Sequence, residues 1–299
     1  MSTASGLTAA DTKLRQLSTR LEAPDLIRAY RIMCMSRRID DREILLKRQN
    51  KIFFQVSGAG HEAIQTAVGM ALEAGHDWFF PYYRDRALSL ALGITAEDML
   101  LQAVGAESDP SSGGRQMPSH WSSTKLHIVS PSSATGTQLL PAVGCAQANR
   151  HLNPASDAVT LTSLGEGATS EGEFWEAVNA ACLESLPVMF LVQDNGFAIS
   201  VPVEHQTPGG DISRLVAGHP NLGMFRCDGT DFVACYATAA EAVNYCRRER
   251  KPAFLHAYCT RPYSHSLSDD EKLYKTAEER AQEARRDPLT AFADYLVAA

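Results

Sequence analysis

The chain has 299 residues, of which 44% are hydrophobic and 21% are charged, and its formal net charge is −7. This balance is typical of a globular protein with a sizeable core, and the net acidity argues against nucleic acid or an anionic membrane as the main partner. The seven cysteines include no C-x-x-C pair, which predicts reduced thiols and a cytoplasmic location rather than a disulfide framework or a zinc site. No apolar stretch approaches the length of a membrane span.

The first predicted element is a helix near the N-terminus. Residues 1–24 are polar and lack the apolar core of a secretory signal, so we expect a flexible arm there. From Asp25 to Asn50, apolar residues recur at helical spacing, and we assign residues 25–55 to an N-terminal helical segment. We predict a single domain over residues 25–299.

Four further segments come next. They are SGAGHEA at residues 57–63, DWFFPYYRDR at 77–86, SSGGRQMPSH at 111–120 and SSATGTQ at 132–138, which leads into a helix at 139–149. The polar, glycine-rich stretch at 111–120 is typical of an active-site loop. Three of the segments also have a plainer interpretation: an ion pair for Arg84, simple exposure for His120, and an ordinary helix cap for residues 132–138.

The central unit begins with a strand and an acidic turn. Ala158–Ser163 is a short β-prone run, and Gly165-Glu166-Gly167 interrupts it. Ser170 and Glu173 have the spacing of a capping box, which predicts that a helix starts at that point.

The unit ends with a second strand and a second polar turn. Pro187 stops the helix, Val188–Val192 is an uninterrupted apolar run, and Asp194-Asn195-Gly196 follows. Such a run is typical of a parallel strand that is covered on both faces. Two parallel strands joined by a helix place both turns at the carboxyl edge of the sheet, where α/β proteins bind ligands.

The chemistry of these two turns indicates a Mg²⁺-diphosphate site. Glu166 offers a carboxylate and Asn195 an amide oxygen, which are hard ligands suited to Mg²⁺, and the glycines allow backbone to approach a phosphate. The alternatives are an idle surface turn and a dinucleotide site. The dinucleotide fingerprint requires a third glycine where Ser170 stands, and an acid about 20 residues on, whereas Asp194 is 29 residues beyond Gly165.

The last third of the chain predicts a second β-α-β unit and a polar loop. We expect a strand and turn at residues 224–229, a helix at 231–248 and a strand at 253–259. In the loop at residues 261–275, hydroxyl residues flank His265 and two acids follow it. We expect Arg261 and His265 to face an anionic ligand, and Asp269 and Asp270 to pair with cations of the surrounding chain.

Together these motifs resemble a known family. An acidic G-x-G turn followed, 30 positions after Gly165, by Asn195 is similar to the thiamin diphosphate signature, and GEGATSEGEF, GRQMP-x-H and HSLSDD resemble the alpha subunit of the first, decarboxylating component of 2-oxo acid dehydrogenase complexes. The resemblance extends from Asp25 to Leu296. It implies the α/β thiamin diphosphate-binding fold, with a mostly parallel sheet, helices on both faces and a helical N-terminal arm.

The resemblance also implies roles for individual residues. Catalysis would fall to His265 and His120. Cofactor binding would involve Tyr83, Arg84, Ser133, Thr135, Gly165, Glu166, Gly167, Ala168, Asn195, Arg261 and His265. Mg²⁺ would be held by Glu166, Asn195 and the backbone carbonyl of Phe197. A K⁺ ion would be held by the side chains of Ser132, Thr137 and Gln138 and the carbonyl of Ala134.

The function implied is thiamin diphosphate-dependent oxidative decarboxylation of a 2-oxo acid, with acyl transfer to a lipoyl group. The GEG turn favours the branched-chain subgroup, with pyruvate or acetoin as the alternative substrate. A beta subunit in an α₂β₂ assembly and a lipoyl-bearing acyltransferase core are the implied partners. Departures from the family pattern leave a non-catalytic role in assembly as another hypothesis; they include His61 for Gln, Glu166 for Asp, Gln193 for Arg, Asp194 for Asn, Phe197 for Tyr and Lys275 for Arg.

Overall fold

The computed structural model describes residues 21–298, so most of the arm predicted over residues 1–24 lies outside the described residues. The N-terminal helix α1 spans Ala23–Arg48 and starts with a capping box between Glu22 and Asp25. The prediction of a helix over residues 25–50 is therefore confirmed with its ends shifted by two residues. The division into an arm and a single domain over residues 25–299 stays a prediction.

A five-stranded parallel sheet forms the centre of the molecule. Its strands are β1 (Trp78–Phe80), β2 (Thr160–Gly165), β3 (Val188–Asp194), β6 (Gly223–Asp228) and β7 (Ala253–Tyr258), in the order β1-β2-β3-β7-β6. All four pairings are parallel. The short strands β4 (Phe197–Ala198) and β5 (Val201–Pro202) form a separate antiparallel pair. The four predicted strands, which correspond to β2, β3, β6 and β7, are confirmed, with ends that differ by at most two residues.

Helices cover both faces of this sheet. The helices that follow α1 in the described chain are α2 (Glu62–Ala71), α3 (Arg86–Leu92), α4 (Ala96–Ala103), α5 (Leu139–Leu152), α6 (Gly172–Glu184), α7 (Val203–Gln206), α8 (Ile212–Val216), α9 (Phe232–Glu249), α10 (Ala277–Arg285) and α11 (Pro288–Ala298). Successive β3 side chains alternate between two apolar clusters, with Met189 and Leu191 in the one that includes α2 and α9, and Phe190 and Val192 in the one that includes α5 and α6. The predicted fold class is therefore confirmed.

One local prediction is wrong. Helix α6 begins at Gly172, with Glu171 as its N-cap residue, so Ser170 and Glu173 form no capping box. Ser170 instead ends a 3₁₀ segment over Glu166–Ser170, and its hydroxyl accepts a hydrogen bond from Gln206 Nε2 at 3.0 Å. A capping box needs extended backbone at its first residue. Ser170 lies in the 3₁₀ segment instead, so it cannot take that role.

Two predictions from composition can be compared with the structure. Each of the seven cysteines is free within the described part of the chain, as the sequence predicted. None of the helices among residues 21–298 is long and apolar enough to cross a membrane.

Candidate active site

A cavity of about 430 Å³ opens at the carboxyl ends of β2 and β3. The strands are in parallel register there, with Gly165 opposite Gln193, so the turns that follow them meet, as predicted. The cavity brings together most of the predicted residues. Its lining includes Tyr83, Arg84, His120, Ser132, Ser133, Ala134, Thr135, Gln138, Gly165, Glu166, Gly167, Ala168, Asn195, Phe197 and His265.

Glu166 lies at the start of the turn after β2 and is 1% exposed. Its Oε2 accepts a hydrogen bond from the Asn195 backbone N–H at 3.2 Å, while its Oε1 is buried without a partner. Burial, and then the nearby negative charge of Asp194, raise the pKa of Glu166 to about 8. A cation at Oε1 would relieve both effects.

Asn195 follows β3 and is oriented by a histidine. The Nδ1 of His61 lies 3.1 Å from the carbonyl of Ala59, so Nδ1 carries a hydrogen and Nε2 is the acceptor in the neutral ring. Burial, followed by the charge of Arg84, lowers the pKa of His61 well below its usual value and keeps the ring neutral. Asn195 Nδ2 therefore donates to His61 Nε2 at 3.3 Å, and Asn195 Oδ1 is left buried without a partner.

The two turns approach each other because Gly167 has no side chain. A Cβ at this position would lie 2.8 Å from the Cβ of Ala198, which is closer than real contacts allow. Gly196 has a φ of +81°, in the left-handed region that favours glycine. The ring of Phe197 lies 4.9 Å from Lys275 Nζ, and the use of its carbonyl as a metal ligand stays a prediction.

Positive charge gathers at this end of the cavity, where the described chain forms no ion pair with Arg84 or Arg261. Arg84 Nη2 lies 3.3 Å from His265 Nδ1, and Arg84 Nη1 donates to the carbonyl of Ser57. Among residues 21–298, neither Arg84 nor Arg261 has an ion-pair partner. The ion pair considered for Arg84 is therefore wrong; the neighbouring Asp85 accepts from Gln193 Nε2 at 2.6 Å instead.

The pKa values of His265 and Arg261 are both lowered in this environment. Burial, together with the charges of Arg84 and Arg261, lowers the pKa of His265 to about 3. Burial and the charge of Arg84 also lower the pKa of Arg261, whose Nε and Nη1 are buried without hydrogen-bond partners. This arrangement favours binding of an anion.

The loop at residues 261–275 folds over the cavity edge, but its acids behave differently from our expectation. Asp269 Oδ2 accepts from the His265 backbone N–H at 2.9 Å and from the Tyr274 hydroxyl. Asp270 accepts from the Lys272 backbone N–H. The expected pairing with cations is wrong, because Tyr274 lies between Asp269 and Arg261 and takes the hydrogen bond from Arg261 Nη2 at 2.7 Å.

On the opposite wall, His120 forms a hydrogen-bonded pair with Ser133. The carbonyl of Pro118 lies 2.9 Å from His120 Nδ1, so this nitrogen carries a hydrogen. In the neutral ring, Ser133 Oγ then donates to His120 Nε2 at 2.8 Å. The backbone of His120 is held at both ends by Gln102. His120 is thus 1% exposed and fixed, so simple exposure does not describe it.

The proposed K⁺ ligands lie in one turn. The Thr137 hydroxyl donates to the carbonyl of Ala134 at 2.9 Å, and the Ala134 N–H lies 3.4 Å from Ser132 Oγ. Gln138 Nε2 donates to the carbonyl of Ser163 at 2.8 Å, which ties this turn to β2. The K⁺ site stays a prediction.

Sequence reasoning missed two histidines that support this site. His61 was noted only as a departure from the family pattern, yet it orients Asn195. His256 lies in the apolar run of β7, is fully buried, and contacts Asp194 at 2.9 Å. A polar residue inside a buried strand is the signal that could have identified it, since such residues require a partner.

Comparisons with known proteins agree with the resemblance. The sequence profile of the dehydrogenase E1 component family matches residues 30–299. A 2-oxoisovalerate dehydrogenase subunit alpha from Bacillus subtilis is 38% identical over 275 residues, which cover 92% of this chain and 82% of that protein.

Two further relatives extend this comparison. A 3-methyl-2-oxobutanoate dehydrogenase subunit alpha from Mycobacterium tuberculosis is 35% identical, covering 89% of this chain and 69% of that protein. A pyruvate dehydrogenase E1 component subunit alpha from Mycoplasma pneumoniae is 30% identical, covering 92% of this chain and 73% of that protein. With the family profile matching nearly the whole chain, this protein belongs to the dehydrogenase E1 component family.

Proposed function

We propose that this chain is the alpha subunit of a 2-oxo acid dehydrogenase and that its cavity binds thiamin diphosphate together with Mg²⁺. The observation that carries the proposal is the pair of buried, unpartnered oxygens on adjacent strand ends, Glu166 Oε1 and Asn195 Oδ1. Leaving such atoms unpaired costs free energy, which a bound cation would recover. Two hard oxygens fit Mg²⁺, with phosphate oxygens, water and the Phe197 carbonyl completing its coordination.

The cations beside these oxygens fit the diphosphate. Arg84, Arg261 and His265 would face its negative charge, since no carboxylate of the described chain pairs with either arginine. Tyr83, Ser133 and Thr135 would contact the remainder of the cofactor, and the turn at residues 165–168 would offer its backbone to the phosphates. Ser132, Ala134, Thr137 and Gln138 would hold K⁺ near the same wall.

Two histidines are placed to handle protons. When bound, thiamin diphosphate supplies the electron sink for decarboxylation. His265 is neutral in the cofactor-free site and would gain a proton more readily once the diphosphate balances Arg84 and Arg261. His120 carries its hydrogen at Nδ1 and accepts a hydrogen bond from the Ser133 hydroxyl at Nε2, and both residues line the cavity.

The substrate that we propose is a branched-chain 2-oxo acid. The B. subtilis and M. tuberculosis relatives are named for 2-oxoisovalerate and 3-methyl-2-oxobutanoate and are 38% and 35% identical, whereas the pyruvate-type relative is 30% identical. A beta subunit in an α₂β₂ assembly would complete the site, and a lipoyl-bearing acyltransferase core would accept the acyl group. A panel of 2-oxo acids tested on the co-expressed pair should give the highest kcat/KM with 2-oxoisovalerate, and preference for pyruvate would contradict this assignment.

The binding site itself is tested by calorimetry on the co-expressed complex. Glu166→Ala removes a charged ligand, so we expect thiamin diphosphate affinity in Mg²⁺ to fall at least about tenfold, as for loss of a charge-assisted contact of roughly 1.5–3 kcal/mol. The matched control is Glu176→Ala, which makes the same change at an exposed position on α6. Unchanged affinity in Glu166→Ala would overturn the proposal, and cofactor binding without turnover would favour the non-catalytic role in assembly.

A further inference from the structure

A buried chain of hydrogen bonds runs behind the turn that carries Asn195. Ser213 Oγ lies 2.7 Å from His256 Nδ1, and His256 Nε2 lies 2.9 Å from Asp194 Oδ2. Ser213 and His256 are fully buried, and Asp194 is 6% exposed. Because a carboxylate only accepts, Nε2 of His256 carries the hydrogen. Both the neutral ring and the imidazolium can donate in this way.

Asp194 uses both carboxylate oxygens within the protein. Oδ2 accepts from His256, and Oδ1 accepts from the Gly196 backbone N–H at 2.9 Å. The Asp194 carbonyl also accepts from the Cys259 N–H at 2.6 Å. Both Asp194 oxygens are therefore engaged within the protein, and Asp194 builds the turn between β3 and β4.

The charge of Asp194 is nevertheless unfavourable for an anionic ligand. It lies close enough to Glu166 to help raise the pKa of that carboxyl. A second carboxylate, Asp211, has an oxygen 3.6 Å from His256 Nδ1 and is itself paired with Arg226 at 3.2 Å. His256 thus lies between two carboxylates, and its donation to Asp194 Oδ2 is the only side-chain hydrogen bond of that oxygen in the described chain.

We propose that His256 is a positioning residue that acts through Asp194: it holds this carboxylate away from the diphosphate and reduces its repulsion, so that the Asn195 turn can bind Mg²⁺ and thiamin diphosphate. This inference rests on the proposed function. It explains how the site accommodates an acid beside the metal ligand, and it assigns a role to a residue in the middle of an apolar strand.

The test is a double-mutant cycle on the co-expressed complex, with thiamin diphosphate affinity measured by calorimetry in saturating Mg²⁺. His256→Leu keeps the volume and removes the donor, so affinity should fall about tenfold or more. His256→Gln retains a donor, and we expect it to stay within about threefold of the wild type, since the amide can replace the imidazole N–H.

Asp194→Asn supplies the second arm of the cycle. Its Oδ1 can still accept from Gly196, and its Nδ2 can donate to His256 after a change of tautomer, so affinity should be unchanged or higher. In the Asp194→Asn background, His256→Leu should then lose less than about threefold, because residue 194 no longer carries the negative charge that His256 compensates. Thermal unfolding without cofactor checks that each variant is folded, and Asp194→Asn tests the charge effect even if His256→Leu does not fold.

The outcomes separate this inference from the proposed function. Wild-type affinity in His256→Leu, an equal loss in both backgrounds, or a tenfold loss in Asp194→Asn would overturn the role of His256. Failure of the wild-type complex to bind thiamin diphosphate, or wild-type affinity in Glu166→Ala, would instead overturn the proposed function.

Discussion

Two buried clusters of polar side chains differ in whether their arginine has an ion-pair partner. In the structural cluster, which comprises Asp40, Glu43 and Arg86, Arg86 donates to Glu43 through Nη1 and Nη2 at 3.1 and 2.5 Å. Its Nε makes no hydrogen bond but lies 3.1 Å from Asp40 Oδ1, within ion-pair distance. In the cavity, Glu166 Oε1, Asn195 Oδ1 and two nitrogens of Arg261 have no partner.

The pKa shifts of the cations show the same difference. Burial by itself would lower the pKa of Arg86, but Glu43 and Asp40 outweigh it and raise the pKa. Burial and Arg84 lower the pKa of Arg261, since no carboxylate pairs with it. Removing one partner of a buried ion pair within the chain destabilises the fold, whereas a buried charge without such a partner indicates a ligand.

The largest expected effect is on turnover. His265→Ala in the reconstituted complex should lower kcat by about 10²–10⁴-fold if His265 transfers a proton in the rate-limiting step. Because His265 belongs to the unbalanced cluster, the melting temperature should change little. Full activity in this variant would show that the loop at residues 261–275 is only a surface connection without a catalytic role.

In the structural cluster, by contrast, the main expected effect of a substitution is a loss of stability. Arg86→Met leaves Glu43 and Asp40 buried without their cation, so the free energy of unfolding should fall by about 3–5 kcal/mol in urea titrations. The control is Arg150→Met, which breaks the exposed pair with Glu184 at 2.8 Å and should cost less than about 1 kcal/mol. Equal losses in the two variants would remove the distinction between the clusters.

A smaller effect is expected at His61, which orients Asn195 without contacting the cofactor. His61→Leu removes the acceptor for Asn195 Nδ2, and we expect thiamin diphosphate affinity in Mg²⁺ to fall about fivefold, as for one neutral hydrogen bond of roughly 1 kcal/mol. His61→Gln should largely restore it, because the amide oxygen can accept. His151→Leu, at an exposed position, is the matched control, and the idea fails if His61→Leu binds as tightly as this control.

The subtlest prediction concerns protonation. Burial and the charges of Arg84 and Arg261 hold the pKa of His265 at about 3 in the cofactor-free protein, below the value of about 6.5 for an unfolded chain. The neutral ring therefore contributes stability that is present above pH 6.5 and is lost as pH falls toward 3. Adding thiamin diphosphate and Mg²⁺ should raise this pKa. NMR titration of the histidine resonance that is absent in His265→Ala tests this, and an ordinary pKa without cofactor would contradict it.

Several features of the fold followed from sequence because each depends on local chemistry. The apolar run at residues 188–192 predicted a buried parallel strand, which the structure extends to Asp194, and the two polar turns were correctly placed at one edge of the sheet. The start of α6 could not be predicted in this way. Ser170 had the right spacing for a cap, but its hydroxyl is bound by Gln206, 36 residues later in the chain.

By itself, the sequence determined the family and the two adjacent parallel strands of the central unit. It also identified Glu166 and Asn195 as the residues that bring side-chain oxygens to the two turns. Only the tertiary structure decided which atoms of these residues are free. The Asn195 amide nitrogen donates to His61, which lies 134 positions earlier in the chain. An oxygen of Asp194 accepts from His256, which lies 62 positions later. The physical reason is that residue type fixes what a group can bind, whereas its availability depends on partners that only folding brings within hydrogen-bond distance.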